Sequence, residues 1–133
     1  MDERGISYEG TPPVAATGEH RVALVIGNAG YKHGKPLPNP HNNAKAIADM
    51  FARLEFELHQ HRTGLTTHWH QDLGLLEMRR VFADFAIKVE TADMAVLYFS
   101  GHGLEIDGEN NLLPVDPDLK HVRADRRYWM TTN

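Results

Sequence analysis

Two short apolar runs constrain this chain more than any other feature. Val22-Ala23-Leu24-Val25-Ile26 closes on Gly27-Asn28, and Met94-Ala95-Val96-Leu97-Tyr98-Phe99 closes on Ser100-Gly101-His102-Gly103. Each run is too short for a buried helix and is bounded by turn residues. Both therefore read as strands buried on both faces. Such strands need parallel neighbours and a helical layer above and below. Six apolar residues are far short of the roughly 20 that a membrane-spanning helix requires, so no membrane partner is expected.

The segments between the runs fit that demand. Ala29 to Pro38 is a loop rich in Gly, Pro and Lys. Asn39-Pro40 then reads as a helix start, with Asn39 accepting an orphan N–H and Pro40 at the first helical position. Ala44, Ile47, Ala48, Phe51 and Ala52 form one apolar stripe. Leu54 to His59 alternates, placing Phe56 and Leu58 on one face of a second strand. Asp72 is positioned to cap a second helix bearing Leu75, Met78, Phe82, Phe85 and Val89, whose Met78, Phe82 and Phe85 read as core. The order strand–helix–strand–helix–strand predicts an α/β three-layer sandwich with a mostly parallel sheet.

At 133 residues the chain has room for one domain. Residues 1–20 carry Gly5, Gly10, Pro12, Pro13 and Gly18 without an apolar period, and read as a flexible leader. A net charge of −4 with scattered Lys and Arg argues against a nucleic-acid partner. No secretory signal follows Met1, so the expected location is cytoplasmic. Cysteine is absent, which removes disulfides, thiolate metal sites and a cysteine nucleophile from within these residues.

Most candidate motifs are weak. Gly30-Tyr31-Lys32-His33-Gly34-Lys35-Pro36 is one residue short of a phosphate loop and has Pro36 where a hydroxyl belongs, so nucleotide binding is rejected and no cofactor is expected. His59 with His61 and His68 with His70 could supply imidazoles to a metal, but an outward, solvated strand face explains them better, and no metal site is expected. His102 stands apart. It lies just beyond the carboxyl end of a buried strand, where catalytic groups gather in open α/β sheets, and it is either a turn histidine or a catalytic one.

The strings Arg21-Val22-Ala23-Leu24-Val25-Ile26-Gly27-Asn28, Leu37-Pro38-Asn39-Pro40, Ala95 to Gly103 and Asn111-Leu112-Leu113-Pro114-Val115-Asp116, in that order and spacing, resemble the caspase-like cysteine peptidases of the bacterial metacaspase or orthocaspase type. The resemblance covers residues 21–119, the first part of the family's large subunit, and leaves 120–133 as a divergent tail. It implies parallel strands at 22–27, 55–61 and 94–100 with the first in the middle, and a peptide or protein substrate. It implies that His102 is the catalytic histidine and that the Gly103 N–H helps stabilise the oxyanion. It further implies that Ser100 and Asn43 line the substrate pocket. Asn43 stands where many relatives have an acid, which puts the family's preference for a basic substrate residue in doubt.

The family's cysteine follows its histidine by roughly 50 residues. This sequence ends 31 residues after His102. The expectation is therefore a truncated large subunit, inactive alone, with the cysteine on a downstream fragment. The alternative is a non-catalytic pseudoprotease or interaction module. Either way the third strand is expected to have an open edge prone to self-association.

Overall fold

The computed structural model describes residues 18–33, 35–60, 69–106, 108–116 and 130–131. Most of the expected leader and tail, and both His61 and His68, lie outside the described residues. In chain order the elements are β1 (Arg21–Gly27), α1 (Pro40–Arg53), β2 (Glu57–Leu58), β3 (His70–Gln71), α2 (Leu75–Val89), β4 (Met94–Ser100), β5 (Gly103–Ile106), β6 (Glu109–Leu112) and β7 (Met130–Thr131).

β1 is the spine. β4 takes one of its edges over the full length, in parallel, from Arg21 opposite Met94 to Gly27 opposite Ser100. Two short parallel strands share the other edge: β2 beside Val22 and Ala23, and β3 beside Ile26 and Gly27. The expected order, with the first strand in the middle, is what the backbone forms. The second strand is shorter than 55–61, because Leu54-Glu55 is a turn with Glu55 at φ 65°. His59 N–H still donates to Ala23 O at 2.8 Å, extending the pairing by one bond.

Alternation along β1 builds two cores. Val22, Leu24 and Ile26 meet Leu73, Met78, Val81 and Phe85 on the α2 side. Ala23 and Val25 meet Ala44, Ala48, Phe56, Leu58 and Trp69 on the α1 side. Small residues let α1 come close: a Cβ on Gly27 would lie 2.6 Å from Pro40 O and 2.9 Å from Ala44 Cβ. Val81 is fully in the core, whereas Val89 is half-exposed.

Three local expectations are corrected. Asn39 is the N-cap of α1 by position, but its side chain makes no capping bond; its φ of −113° and ψ of −10° are already near-helical. Asp72 does not cap α2. The N-cap is Gly74, and the capping carboxylate is Asp116, whose Oδ1 accepts Leu75 N–H at 3.0 Å. A Cβ on Gly74 would lie 2.5 Å from Asp116 Oδ2, so a larger residue there would displace the capping carboxylate. His59 and His70 are not on a solvated face: they are 4% and 6% exposed, because α2 covers the side of β2 opposite Phe56 and Leu58.

Beyond β4 lies a small antiparallel sheet, β5–β6–β7. Ile106 pairs with Glu109 across a two-residue connection in which Gly108 has φ +81°. Asp107-Gly108 is a strong hairpin signal that a reading for parallel strands passes over.

Candidate active site at the carboxyl end of the sheet

The carboxyl ends of β1, β3 and β4 open on one side, and the start of α1 joins them there. Asn28 knits these ends together. Fully buried, it donates from its backbone to Ser100 O at 2.8 Å, accepts Leu73 N–H on Oδ1 at 2.9 Å, and donates from Nδ2 to Leu73 O and Leu113 O. One side chain thus ties backbone groups of two segments, at Leu73 and Leu113, to the end of β1. The sequence signal was a single polar residue closing a buried strand.

His102 sits between β4 and β5, and Tyr31 holds it. The register pairs Gly103 with Leu112, and Leu113 N–H donates to His102 O at 3.1 Å. The return bond of that pair is interrupted by a hydroxyl. His102 N–H donates to Tyr31 Oη at 2.8 Å, and Tyr31 Oη donates to Leu113 O at 3.1 Å. The two rings also pack, with centroids 4.6 Å apart and planes tilted by 55°. Burial pushes the Tyr31 phenol up to about 12, so it stays protonated and can donate throughout the working range. Gly101 leaves room for this hydroxyl: a Cβ there would lie 2.6 Å from Tyr31 Oη.

The imidazole itself is oriented by a carbonyl. His102 Nε2 donates to Lys35 O at 3.3 Å, so Nε2 carries the proton and Nδ1 is the basic nitrogen. Gly103 belongs to a non-hydrogen-bonded pair, which leaves its N–H on the side away from β6. Asn43 Nδ2 reaches Ser100 Oγ at 3.4 Å across the gap between α1 and β4. The four residues singled out from sequence therefore fall into two touching groups, His102 with Gly103 and Asn43 with Ser100. The Ser100 hydroxyl is engaged by Asn43.

Sequence reasoning missed Tyr31, Asn28 and the role of Asp72. Asp72, at φ 55°, turns its carboxylate back over the β1 loop. Oδ1 accepts Ala29 N–H and Gly30 N–H, each at 2.9 Å, and pairs with His41 Nε2 at 3.0 Å. Burial works against its charge, yet these donors hold the carboxyl below the usual carboxylate range. Among the described residues no group of three or more His, Asp or Glu converges as a metal site would require.

A mostly parallel sheet lies between two helices, and a tyrosine holds the backbone of the histidine just beyond the carboxyl end of β4. Residues 20–128 match the family model of the caspase domain, and the chain belongs to that family. It is similar to human mucosa-associated lymphoid tissue lymphoma translocation protein 1, with 29% identity over 96 residues, covering 72% of this chain and 11% of that protein. The mouse homolog of that protein matches at 28% over 96 residues, covering 72% of this chain and 10% of its own length. The chain thus spans about a tenth of the length of these curated relatives. No described helix is long and apolar enough to cross a membrane.

Proposed function

We propose that this chain is the histidine-bearing part of a cysteine-type endopeptidase of the metacaspase or orthocaspase type, and that its thiol nucleophile comes from outside these 133 residues. The single observation that carries this reading is the held His102: backbone tied to Tyr31 and ring Nε2 tied to Lys35 O. In the proposed reaction a thiolate attacks the substrate carbonyl. His102 delivers a proton to the leaving amine and then takes one from the water that opens the thioester. The Gly103 N–H donates to the oxyanion. Ser100 and Asn43 line the pocket for the residue before the scissile bond. An amide at Asn43 leaves a basic substrate side chain without a counter-charge there, so selectivity for Arg or Lys is weak. The substrate is a peptide or protein, and a cytoplasmic location belongs to the same reading.

A second reading is favoured by the absence of cysteine from the sequence: a pseudoprotease that binds partners without cleaving them. One assay separates the two. The chain alone is expected to leave fluorogenic Arg-, Lys- and Asp-directed peptides intact, with or without calcium. Addition of the cysteine-bearing segment encoded beside it restores cleavage, and His102→Ala abolishes that restored activity. Reconstitution that fails despite stable association leaves the pseudoprotease reading standing.

A further inference from the structure

Asp72 and His102 lie on opposite edges of β1: Asp72 follows β3 and His102 follows β4. What joins them is the loop between β1 and α1. At its near end Asp72 Oδ1 accepts Ala29 N–H and Gly30 N–H, each at 2.9 Å, and His41 Nε2 adds a third contact at 3.0 Å. At its far end the same loop meets His102 three times. Tyr31 Oη accepts His102 N–H at 2.8 Å, the two rings pack with centroids 4.6 Å apart, and Lys35 O accepts from Nε2 at 3.3 Å. Further backbone bonds hold the loop. Leu37 N–H donates to Ala29 O at 3.0 Å, closing on the residue that Asp72 binds, and Lys32 N–H donates to Val115 O at 2.9 Å.

We infer that Asp72 is a positioning residue for His102: by clamping Ala29 and Gly30 it sets the place from which Tyr31 and Lys35 hold the histidine. This rests on the proposed acid–base role of His102 and adds a residue that acts on it through the loop. The physical case lies in where the clamp falls. Two successive N–H groups on one carboxylate oxygen fix two successive peptide planes, and charge makes both bonds strong. Tyr31 departs from the chain immediately after them. Glycine at position 30 has no side chain to limit its backbone, so the clamp supplies the limit. With the clamp released, Tyr31 shifts with Gly30, His102 N–H loses its acceptor, and Lys35 O loses its aim at Nε2. The neutral imidazole can then carry its proton on either nitrogen, and the fixed basic Nδ1 is lost. Asp72 itself sits at φ 55°, the left-handed turn that brings its carboxylate back over the loop.

The test reads the imidazole itself, on the full chain without substrate, from the nitrogen chemical shifts of the His102 ring and the exchange of its amide. Asp72→Gly removes the carboxylate and suits φ 55°, so it adds no backbone strain of its own. The native neutral ring is expected to hold its proton on Nε2. In Asp72→Gly the two tautomers mix and the His102 amide exchanges about tenfold faster, while the Leu24 and Val25 amides of β1 stay protected. Gly30→Val attacks the clamp from the loop side, where a Cβ would lie 3.4 Å from Asp72 Oδ2, and is expected to change the ring signals in the same way. Asp72→Asn keeps an oxygen acceptor and tolerates the same turn, and is expected to return both signals to native values. Tyr31→Phe combined with Asp72→Gly is expected to exchange no faster than Tyr31→Phe alone. Native ring signals in both Asp72→Gly and Gly30→Val overturn the inference, by showing that the bond from Lys32 to Val115 holds the loop unaided. Exchange that rises equally in β1, or an Asp72→Asn chain that recovers neither signal, overturns it too. Failure of the acid–base reading shows elsewhere: a reconstituted enzyme that still cleaves after His102→Ala removes that reading and leaves the ring signals as they are.

Discussion

β1 and β4 look alike as sequences and serve differently as strands. Both are seven residues long, both are apolar, and they pair with each other in full register. β1 is buried at every position from Val22 to Gly27, with strands on both edges and a helix on each face. β4 has no fully buried position. Burial, not hydrophobicity of the run, decides how much a strand contributes to stability. β1 is the element on which the fold rests. β4 carries the histidine loop at one end and leaves Met94 and Leu97 exposed.

The largest expected effect tests that contrast directly. Leu24→Ala removes a side chain 1% exposed at the centre of the α2-side core, and is expected to lower unfolding free energy by roughly 3–4 kcal/mol. Leu97→Ala, at a position 42% exposed, is expected to cost under about 1 kcal/mol when measured on dilute protein. Urea denaturation of the two variants side by side decides it. Equal losses would break the contrast between the strands.

Acid is expected to act next most strongly, and through the second edge of β1. His59 pins that edge by its backbone bond to Ala23, and among the described residues neither of its ring nitrogens has a hydrogen-bond partner. Burial first, then the positive charge of Lys88 and the neighbouring His70, push its imidazole down to about 4, with Asp84 and Glu57 opposing more weakly. The unfolded chain takes up this proton near 6.5, before the folded one does. Stability from neutral His59 is therefore complete above about pH 6.5 and lost as pH falls toward 4, a loss on the order of 3 kcal/mol. His20, raised by its bond to Glu57, runs the other way: its contribution is complete in acid and lost as pH rises through its folded pKa. Denaturation midpoints across this range should fall steeply for the native chain and much less for His59→Leu.

A smaller effect sharpens the picture at the end of β4. Tyr31→Phe keeps the ring packed on His102 but removes the hydroxyl between His102 N–H and Leu113 C=O. The expected cost is about 1–2 kcal/mol. Nuclear magnetic resonance should show faster exchange of the His102 amide with the β1 amides unaffected. The smallest effect is expected from Asn43→Asp, within about 0.5 kcal/mol in stability because the site is exposed. Its readout is a gain in affinity for Arg-containing peptides, measured by fluorescence anisotropy. No gain would remove Asn43 from the pocket.

Much of the fold could be read from local pattern. Apolar runs of six residues and stripes at helical spacing are short-range signals, and they located β1, β4, α1 and α2. They also put Phe56 and Leu58 on one face. Family strings singled out His102, Gly103, Ser100 and Asn43 as candidates. What escaped were contacts between residues far apart in the chain. A carboxylate at Asp72 reads as a helix cap until the β1 loop turns two N–H groups toward it. Asp116 reads as part of a strand end until it caps a helix 41 residues earlier. His59 reads as solvated until α2 is seen to cover it.

The sequence by itself determined where β1, β4, α1 and α2 lie, and that no thiol lies within these residues. Those properties depend on neighbours a few residues away, where backbone geometry and side-chain period act directly. Only the tertiary structure decided that Tyr31 holds the histidine, that β1 is buried while β4 is half-open, and that two buried histidines flank one edge. Burial and long-range hydrogen bonds are properties of the packed layers, and two apolar runs become unlike when one of them has both edges and both faces covered.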